Sequence, residues 1–403
     1  MSQEKWNYTD ATEKELLKIN YGQEIYDQFN EANVLFGTMK KMSDFTGSEC
    51  KFPVNLSRGA GISSGKPGKS GRNKHASAIL RTSKHYATVK VDRETMKATQ
   101  GSKDAFVSMA KRPLRIANES FNSNLERQMI LGDITGSGAL ATITSVTGTG
   151  TNVDPYVCVL PADTVMEQFE EGHNVHIGSD DLLTDVLEVV DVVDGATKSV
   201  SLVGSPTTVP AATEVIYIQF AKDSEVAGLQ GILKATTGTY KDIEISRRWS
   251  SDINDVSGAI STAELNKSIL RIEKKCGKPP KMALASYEQY QRLLDLHEDQ
   301  KTYEVTARGE RYSKLSFQGL QVMTTRGAIP VVASRFVPAG EIYLLNPDEM
   351  YLKTRPDGFE WDDDYGKVFN FMENEDAYLA RYSVYLDFFV NPAFQGILIN
   401  LTV

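Results

Sequence analysis

Ser57-Arg-Gly-Ala-Gly-Ile-Ser-Ser-Gly-Lys-Pro-Gly-Lys-Ser-Gly-Arg-Asn-Lys-His75 is the stretch whose reading decides the fold. It holds five Gly, four Ser and five basic residues, and only Ala60 and Ile62 are apolar. A segment of this composition cannot bury enough surface to order itself. Loops of this length inside a compact domain are uncommon and are usually functional or disordered. On one side Phe52, Val54 and Leu56 alternate with other residues; on the other, Ala87, Val89 and Val91 do so. Both runs read as strands. The expectation is a long hairpin, residues 51–92, with a basic, glycine-rich tip.

Charge sharpens this reading. Residues 50–91 contain nine Lys or Arg and no Asp or Glu. The chain as a whole carries −9, from 44 basic and 53 acidic residues, so the remainder holds 35 basic against 53 acidic. One segment is strongly positive and the rest is strongly negative. An acidic chain is a poor non-specific DNA binder, because that affinity comes from neutralising phosphates. The basic finger therefore orders either on nucleic acid or on the acidic part of another copy.

Working outward, the first 50 residues read as an arm. Thr12-x-x-Glu15 is a capping-box signature. Leu17, Tyr21, Ile25 and Phe29 then form a narrow apolar stripe, which packs on its own domain or on a neighbouring copy. Beyond the finger, Phe106, Met109, Leu114, Ala117, Phe121, Leu125 and Met129 mark a long helix over 102–131, ending at Gly132. At 1.5 Å per residue it spans about 45 Å. Pro113 should kink it or mark its start. Residues 139–147 read as a strand. Val/Ile-rich runs at 156–160, 174–178, 185–193, 198–203 and 214–219 suggest a small inserted barrel or sandwich. The third region is mixed. Ser261-x-x-Glu264 caps a helix that stops at Gly277, and Ser286-x-x-Gln289 caps a second. Strands follow at 320–325, 329–333 and 341–345, and the last 35 residues read as long strands. The fold class is α+β.

At 403 residues the chain is long enough for two or three domains. The hydrophobic fraction of 41% and charged fraction of 24% exclude a disordered chain, a collagen and a coiled coil. No apolar stretch approaches a membrane span, and the first residues have no apolar segment of a secretory leader. Cys50, Cys158 and Cys276 are odd in number and far apart, which argues against a disulfide framework or a Cys-type zinc site.

The motifs that resemble chemistry fail on context. Gly136-Ser-Gly138-Ala-Leu-Ala141 follows a helix and opens a strand, the reverse of a dinucleotide fingerprint. Gly68-Lys69-Ser70 would need Gly at 63 to be a phosphate loop, and Ser63 stands there. His173 and His176 fall on a predicted strand and face opposite sides. Glu360, Asp362, Asp363 and Asp364 lack the ligand alternation of a calcium loop. They are a solvated face, a docking surface for the finger or a cation site. No catalytic constellation, cofactor site or metal site emerges.

This order of elements resembles the major capsid protein of tailed double-stranded DNA phages, the Hong Kong 97-type fold. The arm corresponds to residues 1–50, the E-loop to 51–92 and the spine helix to 102–131. Gly228-Leu-Gln-Gly231-Ile-Leu-Lys-Ala-Thr236 is similar to the segment leading into the axial domain. Phe317-Gln-Gly319-Leu-Gln-Val322 and Gly327-Ala-Ile-Pro330-Val-Val resemble its later strands. Ile342-Tyr-Leu-Leu-Asn-Pro347-Asp resembles the return to the peripheral domain. The resemblance implies a peripheral domain over 93–150, an insertion over 151–222, an axial domain over 223–345 and return strands over 346–403.

It also implies a structural virion protein, not an enzyme. Such a protein self-assembles into hexamers and pentamers of an icosahedral shell around double-stranded DNA, which it does not bind specifically. Assembly takes place in the host cytoplasm, with a scaffolding protein, a portal and a decoration protein as expected partners. Arg58, Lys66, Lys69, Arg72, Lys74, Arg81 and Lys84 would carry the contact that the E-loop makes with a neighbouring copy, and Glu360, Asp362, Asp363 and Asp364 the acidic docking surface. Leu17, Tyr21, Ile25 and Phe29 would make the arm contact. In some members a loop Lys cross-links to a neighbour's Asn, and Lys66, Lys69 and Lys74 are the residues this loop offers. The long N-terminal prodomain of some members is expected to be absent. The alternative reading is a nucleic-acid or polyanion-binding module acting through the finger.

Overall fold

The computed structural model describes residues 34–57, 62, 64–66, 69, 71, 73–93, 103–178, 185–206, 209–296, 320–324, 327–356, 358–362, 369–372 and 375–402, without the side chains of 103–113 and 323–324. The arm stripe Leu17, Tyr21, Ile25 and Phe29, and Arg58, Arg72, Asp363 and Asp364, lie outside these residues.

Alternation in Ala377–Val390 organises the first sheet. Ala380, Tyr382, Val384 and Leu386 point inward, and Arg381, Ser383 and Tyr385 point outward. This strand pairs antiparallel with Met350–Thr354 on one side and with Ser83–Asp92 on the other. Lys40–Met42 joins Met350–Thr354 in parallel at the edge. The long helix Lys103–Leu131 packs on the inner face through Leu114 against Val89 and Ala380. Phe121 meets the Tyr382 ring edge-on at 5.2 Å. The helix begins ten residues before Pro113, so the proline does not mark its start.

Here the expected hairpin is corrected. Cys50–Ser57 pairs with Lys74–Leu80, from Cys50 opposite Leu80 to Ser57 opposite Lys74. The run Ser83–Asp92, expected as the second arm, belongs to the body sheet. The true partner, Lys-His-Ala-Ser-Ala-Ile-Leu, alternates in small residues, so its period of two was faint against the stronger run after it. The finger is shorter than expected, and Arg81 and Lys84 lie beyond it.

A second sheet has the order Asp252–Gly258, Gly396–Leu401, Ile342–Leu345, Met282–Ala285, Gly327–Ala333, Gln321–Thr324. Thr262–Cys276 covers it with Leu265, Ile269 and Ile272. Ser261 Oγ accepts from Glu264 N at 3.3 Å, and Gly277 ends the helix at φ 77°. The last strand runs parallel to Asp252–Gly258. The final segment, expected as peripheral strands throughout, is therefore divided. Met350–Thr354, Glu360–Trp361, Phe369–Phe371 and Ala377–Val390 build the first sheet and Gly396–Leu401 returns to the second, because Gly396, Ile397 and Leu398 are apolar on both faces and suit an interior strand.

The insertion is a closed barrel. Its strands run Ala139–Thr142, Val215–Ile218, Asn174–Ile177, Leu187–Val193, Ser199–Val203, Tyr156–Val159, Ser145–Thr147. The two end strands are halves of one bent segment. Ile143 N donates to Glu214 O at 2.7 Å, and Thr144 N donates to Val159 O at 2.8 Å. Closure removes the free edges. Tyr156, Cys158, Leu160, Val175, Leu187, Val189, Val200, Leu202 and Ile216 fill the interior. The barrel therefore starts at 139, twelve residues before the expected boundary, because residues 139–147 both open and close it.

Barrel and body meet at a joint of close backbones. Asp133 Oδ1 accepts from the N–H groups of Thr135, Gly136 and Ser137 at 3.0, 2.6 and 2.9 Å. This tight turn follows the long helix. A Cβ on Gly228 would lie 2.4 Å from both Gln128 O and Gly132 N. The chain returning from the barrel thus touches the helix end backbone to backbone. Beside it Arg127 and Glu225 form an ion pair, with side chains 3% and 2% exposed.

Candidate assembly surfaces

The finger is rigid at its root and exposed toward its tip. Leu80 and Ala78 are fully buried in the main core. Phe52 stacks on Phe389 at 5.1 Å and on Tyr351 at 5.7 Å. Ile79 N donates to Lys241 O, and Arg81 N donates to Asp387 Oδ2, both at 3.0 Å. Asp387 is itself buried and takes Lys241 Nζ at 2.6 and 2.8 Å. Arg81 adds ion pairs to Glu49 at 3.1 Å and Asp242 at 2.9 Å. Farther out, Lys66, Lys69, Lys74 and His75 are exposed, and Ile62 is 90% exposed.

The seven expected contact residues thus separate. Lys66, Lys69 and Lys74 sit on the exposed finger, whereas Arg81 pins its root. Lys84 lies on the body sheet opposite Tyr385. Around Lys84 the outward face carries Tyr86, its hydroxyl 3.4 Å from that of Tyr385, with Arg381 over the Tyr86 ring at 5.8 Å and Arg355 over the Tyr385 ring at 5.0 Å.

Of the acidic cluster, Glu360 lies on a short strand opposite Ser383. Asp362 N donates to Arg381 O at 2.8 Å, and its carboxylate lies 3.8 Å from Arg381 Nη1. Both residues are half-buried. The charge of Asp362 is therefore shared with an arginine of the same chain.

The arm enters the body through Val34–Thr38. Leu35 and Phe36 are buried in the main core. Glu126, from the long helix, accepts from Leu35 N at 3.5 Å. Burial pushes its carboxyl up to about 7, against the pull of the N–H groups of Leu35, Phe36 and Val34. Lys41 sits over the Phe36 ring at 3.7 Å, and burial lowers its ammonium to about 8.

Sequence reading missed Glu126, the Arg127–Glu225 pair and the Lys241–Asp387 pair. One signal was present: Glu126-Arg127 interrupts the helix between Leu125 and Met129, where side chains face the core. The long-range pairs left no trace, since 98 and 146 residues separate the partners. Among the described residues no group of three or more His, Cys, Asp or Glu is placed to hold a metal ion. His176 is buried and His173 faces Glu170 at 3.6 Å.

The comparisons with known proteins are consistent with this architecture. Residues 213–363 match the family model of the SU10 major capsid protein. No curated protein sequence matches the chain. The structure is similar to the capsid asymmetric unit of cyanophage A-1(L), with a TM-score of 0.51 and 14% identity over 92% of each chain. It is also similar to the procapsid of satellite phage P4 including the size determination protein (TM-score 0.42, 10% identity, 95% of this chain and 100% of that one). A capsid of a native GTA particle gives 0.45 and 10%, over 93% and 91%. At such identities the likeness is one of fold, and the cyanophage chain carries it. The chain thus has the Hong Kong 97-type fold, and its residues 213–363 are similar to the SU10 major capsid protein family.

Proposed function

We propose that this capsid-type chain is the building block of an icosahedral shell, forming hexamers and pentamers around double-stranded DNA. The finger is the observation that carries the reading. Its root is fixed by buried contacts, while Lys66, Lys69, Lys74 and Ile62 are presented to solvent. A rigidly rooted, exposed projection is complete only when another surface covers it. Many such contacts, each weak, add up to a stable shell. The arm residues Leu17, Tyr21, Ile25 and Phe29 supply a second contact with a neighbour. Assembly takes place in the host cytoplasm on a separate scaffolding protein, with a portal at one vertex and decoration proteins outside. An acidic chain lines such a shell without holding the packed DNA.

Replacing residues 58–73 by a two-residue Asn-Gly turn tests the reading. The full chain is expected to give particles or capsomers by light scattering. The shortened variant is expected to stay monomeric with an unchanged thermal melt, because the removed residues lie beyond the buried root. A shortened variant that assembles like the full chain would refute the role given to the finger.

A further inference from the structure

The acidity of this protein is concentrated in the barrel. Residues 139–218 hold twelve acidic residues against Lys198 alone, while the other 323 residues hold 43 basic and 41 acidic. Lys198 is engaged already, 3.8 Å from Asp194. A fold carrying so many like charges repels itself, and the repulsion is relieved when a cationic surface lies against it.

One strand of the barrel presents this charge together with apolar area. In Leu187–Val193, Leu187 and Val189 fill the interior. A bulge follows, opposite Ser201 and Leu202, and turns Val190 outward. The outward face then reads Glu188, Val190, Asp191, Val193. Val190 is 47% exposed and Val193 43%. Glu188 and Asp191 form no ion pair among the described residues. Carboxylates spaced by exposed valines match a partner of lysines and isolated apolar groups. The finger is such a partner, with Lys69, Lys74 and the exposed Ile62. Among the described residues, no ion pair joins finger and barrel within one chain, and Lys69 and Lys74 pair with no carboxylate.

We infer that the outward face of Leu187–Val193 is the surface on which the finger of a second copy lies, Lys69 and Lys74 against Glu188 and Asp191. The inference rests on the shell reading above and names the partner surface. It prefers the barrel to the 360–362 edge, where Asp362 is half-buried and shares its charge with Arg381.

Charge exchange in the full-length chain tests it. Glu188→Lys with Asp191→Lys is expected to slow assembly, followed by light scattering, about tenfold or more, and Lys69→Glu with Lys74→Glu to do the same. All four substitutions together should restore the rate to within about twofold, since the pairs are then reversed and not lost. All four sites are exposed, so the finger reversal should leave the thermal melt unchanged, and the barrel reversal, which lowers the barrel's self-repulsion, should not lower it. A second readout is Lys69→Cys with Asp191→Cys, expected to give disulfide-linked multimers on oxidation that neither single variant gives. Wild-type assembly with a silent barrel reversal, or a fourfold variant that stays slow, would overturn this inference alone. A wild-type chain that never assembles would overturn the shell reading and this inference with it.

Discussion

Glu126 and His85 give the folded chain two opposite responses to pH. Burial raises Glu126 from 4.5 to about 7, so the folded state holds its proton more tightly than the unfolded chain. Its contribution is full below pH 4.5 and is lost as pH rises to 7, a change of about 3 kcal/mol. Glu126→Gln keeps an acceptor for Leu35 N but carries no charge. The variant should gain on the wild type in denaturant melts between pH 4.5 and 7.5, and match it below. An unchanged difference across that range would contradict the assignment. His85 works the other way. Burial and the nearby Arg127 hold its imidazole down to about 4, from 6.5. Stability from the neutral ring is full above pH 6.5 and lost as pH falls through 4. His85→Leu should therefore blunt acid unfolding, measured by a melt series from pH 7 to 3.5. Both positions were partly legible: Glu126 breaks the apolar face of its helix, and His85 falls in phase with Ala87, Val89 and Val91. The depth of burial, which sets both shifts, depends on elements far away in the chain and was not.

At the scale of elements, capped and strongly periodic segments were legible, and pairings were not. The helix over 262–276 carries its start and stop signals, Ser261, Glu264 and Gly277, within the segment itself. The long helix likewise ran from 103 to 131 as its periodicity predicts. The finger was legible as a loop but not in its pairing, because Lys74–Leu80 alternates in Ala and Ser. The barrel was legible as five strands, and its closure was hidden in the bend at Ile143 and Thr144. Gly228 at the joint offers a test. A methyl there meets backbone atoms of the long helix, which cannot rotate away. Gly228→Ala is expected to cost about 2–3 kcal/mol in denaturant unfolding. Gly195→Ala, in a barrel turn with open space around it, should change stability by less than about 0.5 kcal/mol. Equal effects at the two sites would remove the steric account of the joint.

At the scale of the molecule, the central observation is segregation of charge: a basic finger, a strongly acidic barrel and a mildly acidic remainder of 37 basic and 41 acidic residues. The opposition of finger and body was visible in composition alone. Its seat in the barrel was countable as well, since all twelve acidic residues lie between Asp154 and Glu214, inside the expected insertion; which of them share a face was not, because that depends on the bulge at Val190. Segregated charge guides docking and is screened by salt at about 8 Å under physiological conditions. Assembly should therefore slow several-fold between about 0.05 and about 0.5 M salt, read as the initial slope of light scattering. Image reconstruction of particles formed by the purified full-length chain tests the account most directly. It should show closed shells or capsomers in which density for residues 57–74 leaves its own copy and lies across a neighbour. A uniform population of monomers, or a finger folded back onto its own body within the particle, would contradict it.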